Sequence, residues 1–199
     1  EMTSSNSKYM RSGDFRFIGD YVWSQHVDTH ALQKCNISAR TANQSRNMMG
    51  ATSNYQQFVH KNKNVSIKRI TDKSHPACGQ HGLFANRKIA ANTHIIDYIG
   101  FVEMDKFESQ TSDYIIHFVD ALSCDAQHIG NEARFINDYR NISDNGPNVK
   151  FANYVHADSH CLRLGVFSCN KPIRKNQELL VSYGKGFWSA RKEEMSTAD

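Results

Sequence analysis

Two tyrosines, an asparagine, an arginine and a glycine-rich loop are the residues whose types and spacing can do chemistry in this chain. Tyr183 stands in Glu178-Leu179-Leu180-Val181-Ser182-Tyr183-Gly184, just after an apolar run. Tyr114 opens another run, Tyr114-Ile115-Ile116-His117-Phe118-Val119. A phenol beside apolar residues offers an aromatic wall and a hydroxyl that can orient an amine or accept a CH···O contact. Arg134 and Asn137 are three apart, and asparagine carries both a donor and an acceptor. In Gly79-Gln80-His81-Gly82 the glycines let backbone N–H groups approach an anion with no Cβ in the way. A plain tight turn explains such a loop equally well, and a tyrosine taken alone is more often a packing residue.

The remaining candidates for chemistry are thinner. The five cysteines, Cys35, Cys78, Cys124, Cys161 and Cys169, are odd in number and form no CxxC or CxC pair. Neither a zinc site nor a disulfide framework is expected, so the metal expectation is none and the thiols read as reduced. No apolar run approaches the roughly 20 residues of a membrane span. The start, Glu1-Met2-Thr3-Ser4, lacks the charged-then-apolar layout of a secretory signal and reads as a flexible end. The net charge of +4 is unevenly placed. Residues 1–96 carry thirteen Lys/Arg against five Asp/Glu, whereas 97–125 carry seven acidic residues against Lys106 alone. A solvated mixed surface accounts for this, and so would a partner with both basic and acidic surfaces.

The elements that must position these residues are short. Val65-Ser66-Ile67-Lys68-Arg69-Ile70 alternates as a strand does, and a turn-rich loop from Lys73 to Gly82 follows. Leu83 to Ala85, His94 to Gly100, Tyr114 to Val119, Val149 to Val155, Leu162 to Ser168 and Glu178 to Tyr183 are further strand candidates. Many short strands between Gly, Pro and Asn turns predict a mainly β fold. Residues 14–60 read as helical or irregular, with an aromatic cluster at Phe15, Phe17, Tyr21 and Trp23 and a helix starting between Val27 and Leu32. No internal repeat is visible.

Five stretches, in order, resemble the SET-domain family of protein lysine methyltransferases. Gly79-Gln80-His81-Gly82-Leu83-Phe84-Ala85 is similar to the family's glycine-rich opening. Asp97-Tyr98-Ile99-Gly100 resembles its EYxG strand end, with Asp for Glu. Tyr114, followed by Asp125-Ala126, is the third. Gly130-Asn131-Glu132-Ala133-Arg134-Phe135-Ile136-Asn137 matches the GNxARFxN signature and is specific by itself. Glu178 to Gly184 resembles ELxxDYG. The likeness covers about residues 64–188.

The resemblance implies a SET fold of several small sheets with a threaded C-terminal segment, plus a partly helical N-terminal extension. The expected organisation is an extension over 1–63, the SET domain over 64–188 and a tail over 189–199. It implies a protein-lysine N-methyltransferase that uses S-adenosylmethionine. Tyr183 and Tyr114 would be catalytic. His81, Gly82, Leu83, Phe84, Tyr98, Arg134, Phe135, Asn137 and Trp188 would meet the cofactor, with core packing the alternative for Phe135. Tyr114, Val181, Tyr183 and Phe187 would line the lysine channel. The expected substrate is a histone tail, the expected location nuclear, and the basic N-terminal part could touch nucleosomal DNA. No membrane partner is expected. A non-catalytic PR-type interaction module, methylation of a non-histone protein, and a cytoplasmic location stay open.

An apolar channel suits this reaction. A free lysine has a pKa near about 10.4, yet the attacking amine must be neutral. Apolar walls disfavour the ammonium and hold the nitrogen at near-attack range. The sequence departs from the family where Asn137 is followed by Asp138-Tyr139-Arg140 instead of His-Ser-Cys. It departs again where Ser182 replaces the aspartate before Tyr183, and no cysteine-rich segment follows the domain.

Overall fold

Short alternating runs broken by turn formers give short strands, and the computed structural model, which describes residues 15–50 and 62–184, contains thirteen of them. In chain order the described elements are β1 (Arg16–Phe17), β2 (Val22–Trp23), α1 (Thr29–Lys34), α2 (Ala39–Gly50), β3 (Val65–Arg69), β4 (His81–Ala85), β5 (His94–Asp97), β6 (Phe101–Met104), β7 (Ile115–Val119), β8 (Leu122–Asp125), β9 (Ile129–Gly130), β10 (Asn137–Asp138), β11 (Val149–Val155), β12 (Leu162–Ser168) and β13 (Leu180–Val181). The two longest strands have seven residues, so the fold rests on several small sheets. The chain divides into two units.

The first unit draws on Glu1–Asn62, Ile95–Arg134 and Ala152–Val166. Its largest sheet has the order β2-β6-β8-β7. The tight connection between β7 and β8 places Asp120 at φ 51°, a left-handed conformation that Asp tolerates better than most residues. β2 joins the sheet parallel to β6, and β1 pairs parallel with β9. The stretch read from sequence as an extension therefore supplies strands to sheets whose other strands lie in 95–134. Its aromatic cluster forms the core: Tyr21 stacks on Phe118 at 5.5 Å, and Trp23 is tilted against Phe118 at 6.4 Å. Asp28 caps α1, its side chain accepting the Ala31 N–H at 2.8 Å, as expected for a helix beginning there. From α2, Arg46 donates to the carbonyls of Trp23 and Ser24, at 3.0 and 2.6 Å, and ties the helix to β2. Most of a three-stranded sheet, order β11-β12-β5, also lies in this unit. There Asp97 accepts from Tyr154 Oη at 2.8 Å and Arg163 Nε at 2.9 Å. Burial, then the bond to Asp97, pushes the Tyr154 phenol well above its ordinary range.

The second unit draws on Lys63–His94, Phe135–Phe151 and Phe167–Asp199. β3 and β4 make an antiparallel hairpin with Lys68 opposite Gly82 and Arg69 opposite His81. β10 pairs parallel with β13, Asn137 opposite Leu180 and Asp138 opposite Val181, so the last described strand returns beside the signature stretch. Val65, Leu83, Val149, Ile173 and Leu179 form its core. Fully burying each such aliphatic side chain is worth about 1.5–3 kcal/mol. Among the described residues no helix is long and apolar enough to cross a membrane.

Candidate active site

β13 ends two residues before Tyr183, and the pairing of β13 with β10 brings that tyrosine to the stretch 136–138. Its phenol donates to the carbonyl of Ile136 at 2.8 Å. Its backbone N–H donates to Asp138 Oδ2 at 2.7 Å. Tyr183 is nonetheless partly exposed, at 38%. With its proton given to Ile136, the phenol oxygen keeps the acceptor character of any phenol. That polarity suits an amine N–H or a polarised methyl group.

Asn137 lies between those two anchor residues. Its Nδ2 donates to Glu178 Oε1 at 2.8 Å and to the His81 carbonyl at 3.3 Å. Both neighbours are acceptors, so the amide orientation is fixed by the network. Among the described residues no donor meets Asn137 Oδ1, which remains an acceptor for a ligand N–H. Glu178 is held on its other side by His75 Nε2 at 3.1 Å. His75 Nδ1 accepts the Ala77 N–H at 3.0 Å, which places the ring proton on Nε2. His75 and Glu178 have side chains only 9% and 10% exposed. Asn148 completes the support: it donates to the Glu178 carbonyl at 2.7 Å and accepts the Leu180 N–H at 2.8 Å.

Gly82 has a packing reason beside the one the sequence suggests. A Cβ there would collide with Glu178 Oε1 and stand 3.1 Å from Asn137 Nδ2. The missing side chain makes room for the Glu178–Asn137 pair. Gly79, at φ 86°, is the turn glycine, with nothing near its side-chain position. His81 meets Phe135 edge to face at 6.2 Å, so the signature stretch and the loop end in contact. Phe84 sits across an isolated bridge from Glu178, with Lys68 Nζ 5.3 Å from its ring centre. Leu83, expected at the cofactor, is fully buried; the alternation of β4 turns it into the core. Val181 is likewise buried.

The first unit gathers Tyr98, Tyr114 and Arg134. Tyr98 is buried, and its hydroxyl donates to the Tyr114 carbonyl at 2.7 Å. Arg134 lies between two rings, 4.3 Å from the centre of Phe15 and 4.1 Å from that of Tyr114. It donates through Nε to the Ala126 carbonyl at 3.0 Å. Tyr98 and Arg134, both expected at the cofactor, contact Tyr114 in this structure. The reason is that a guanidinium stacks on aromatic faces while its edge donors reach backbone carbonyls. Phe187 and Trp188 lie outside the described residues. The five cysteines are free, and no group of three His, Cys, Asp or Glu side chains suited to a metal occurs among the described residues.

Sequence reasoning gave no role to His75, Asp138 or Glu178. Glu178 was visible inside a matched motif. Asp138 was visible only as a departure, and His75 carries no local signal because its partner is 103 positions away.

The SET domain model matches residues 80–184, and the chain belongs to that family. S-adenosylmethionine is the cofactor of SET methyltransferases. The residues present fit it at Asn137, whose carbonyl suits an N–H donor, and not at the side chain of Leu83. Among solved structures the chain is similar to Chaetomium thermophilum polycomb repressive complex 2 chains. One is in an autoinhibited conformation bound to S-adenosylmethionine, with 21% identity, 67% of this chain and 17% of that chain covered, and a TM-score of 0.49. A second, the crystal structure of the complex, has 24% identity, 64% and 16% covered, and a TM-score of 0.48. A third, bound to GSK126, has 22% identity, 68% and 18% covered, and a TM-score of 0.49. The chain spans less than a fifth of the length of these chains. No curated protein matches.

Proposed function

We propose that this chain is an S-adenosylmethionine-dependent protein-lysine N-methyltransferase, and that its substrate is a histone tail. The observation that carries the reading is Tyr183, the tyrosine of the family motif, held through its phenol by the Ile136 carbonyl and through its amide by Asp138, and partly exposed. The cofactor supplies the methyl group. Tyr183 orients the lysine nitrogen, and Asn137 Oδ1 accepts from the cofactor. The acidic stretch 97–125 suits a basic tail, and the basic N-terminal part suits nucleosomal DNA and a nuclear location. The domain is proposed to run over 64–188, with a tail beyond it; within 1–63, the described strands belong to its sheets.

The ending Glu178 to Gly184 also resembles PR-type relatives, which supports a second reading, a non-catalytic interaction module. Transfer of a radiolabelled methyl group is the test, offered nucleosomes, free histones and a cell lysate in parallel. Label on histone lysines supports the full proposal, and label on another protein corrects the substrate. Cofactor binding without label anywhere favours the module.

A further inference from the structure

We infer that Asp138 is a positioning residue for Tyr183, holding its backbone so that the phenol oxygen keeps one direction. The inference rests on the catalytic reading of Tyr183 and asks what fixes that residue. In the β10–β13 pair the last backbone bond runs from Tyr139 N to the Val181 carbonyl at 2.9 Å. The ladder then stops, and the next donor on that side, Tyr183 N–H, is met by a side chain. Asp138 Oδ2 accepts it at 2.7 Å.

The carboxylate is itself held. Oδ1 accepts the Arg140 backbone N–H at 2.9 Å, and Oδ2 accepts Arg140 Nη1 at 2.7 Å. The Asp138 side chain is only 6% exposed, against 31% for Arg140. A buried carboxylate is costly unless it is paired and hydrogen-bonded, and here both conditions are met within one tight turn. Ile136, two residues earlier, accepts the Tyr183 hydroxyl. One short stretch therefore holds the tyrosine by its amide and by its phenol. Gly184, at φ 87°, follows directly, and its N–H donates to Ser182 Oγ at 3.4 Å.

This arrangement also accounts for the paired departure seen in the sequence. A carboxylate directly before a tyrosine can take that tyrosine's N–H, as Asp20 does for Tyr21 at 2.8 Å in this protein. Ser182 cannot supply a carboxylate to Tyr183. Asp138 supplies one from the neighbouring strand.

The experiment measures kcat and KM for methyl transfer, cofactor Kd by calorimetry, and the melting temperature. The variants are Asp138→Ala, Asp138→Asn, Asp138→Ala with Ser182→Asp, and Tyr183→Phe, all in the full chain. Asp138→Ala should lower kcat about 10²-fold, the loss typical of a misplaced catalytic group, with cofactor Kd changed less than threefold. Asp138→Asn, which keeps the volume and one acceptor, should fall in between and serves if the alanine variant does not fold. Adding Ser182→Asp to Asp138→Ala should recover kcat at least tenfold, which a merely structural role for Asp138 would not produce. Unchanged kcat in both Asp138 variants, with Tyr183→Phe inactive, overturns the positioning role alone. So does a loss of kcat that Ser182→Asp leaves where it was. Full turnover in Tyr183→Phe overturns the catalytic reading and this inference with it.

Discussion

Gly82→Ala is the smallest change that tests whether the cofactor side of the site is built as described. The added Cβ would overlap Glu178 Oε1 and lie 3.1 Å from Glu178 Cδ and 3.1 Å from Asn137 Nδ2. The backbone of Gly82 is fixed by pairing with Lys68, so the carboxylate must move. Moving it breaks the 2.8 Å bond from Asn137 and strains the 3.1 Å bond from His75. A hydrogen bond to a charged group is worth about 1.5–3 kcal/mol. For a chain of this size that loss lowers the melting temperature by roughly 3–12 °C. Released from Glu178, the Asn137 carboxamide can rotate, and Oδ1 no longer points one way. Cofactor affinity should fall about tenfold or more, the equivalent of 1.4 kcal/mol or above. Calorimetric titration and thermal melts of Gly82→Ala, Glu178→Ala and the double variant separate the clash from the lost bond. The double variant should be no worse than Glu178→Ala, because the collision is gone. Gly82→Ala that melts and binds like the parent refutes the packing argument, and so does strict additivity in the double variant.

Asn137→Ala should weaken S-adenosylmethionine binding by about 1–3 kcal/mol, whereas Arg134→Ala should chiefly lower the melting temperature, through loss of the stack on Phe15 and Tyr114; calorimetry and melts distinguish the two. Burial, reinforced by Asp120 and Cys161, pushes the Cys35 thiol up to about 11. An unfolded thiol titrates near about 8.5, so this contribution to stability is complete below that pH and is lost as the pH rises toward 11. Melting temperatures should fall more steeply between pH 8.5 and 11, by the titration values just given, in the parent than in Cys35→Ala. On the proposal that the buried Val181 backs the lysine channel, its small side chain without a hydroxyl allows products beyond monomethyllysine, and Val181→Tyr should shift them toward monomethyllysine. Mass spectrometry of a peptide product after long reaction is the check, and monomethyllysine alone from the parent would contradict it.

What the sequence made legible was local. The strand at Val65–Arg69, a helix beginning between Val27 and Leu32 and the mainly β class followed from local pattern, which neighbouring residues determine. The family signature located Asn137 and Tyr183, and the structure brings them to one strand pair. Non-local partnership was not legible. That β1 and β2 would join β9 and β6 depends on pairing across 113 and 79 positions, which two-residue strands cannot announce. That Gly82 makes room for a carboxylate was not legible, because the carboxylate comes from the distant Glu178. That Arg134 stacks on Phe15 was not legible, because Phe15 lies in a stretch that had no recognisable pattern. Asp138 read as a break in a motif, and only the parallel register of β10 and β13 brings it to Tyr183.

The central claim is that a methyl group is transferred at Tyr183. The most direct measurement is transfer from radiolabelled S-adenosylmethionine to histone substrate by the parent and by Tyr183→Phe, with cofactor affinity and folding checked on the same samples. The expected result is label on lysine from the parent and a loss of about 10²–10⁴-fold in Tyr183→Phe, with the fold and cofactor affinity retained. A folded, cofactor-binding Tyr183→Phe protein that transfers methyl groups at the parent's rate would contradict it.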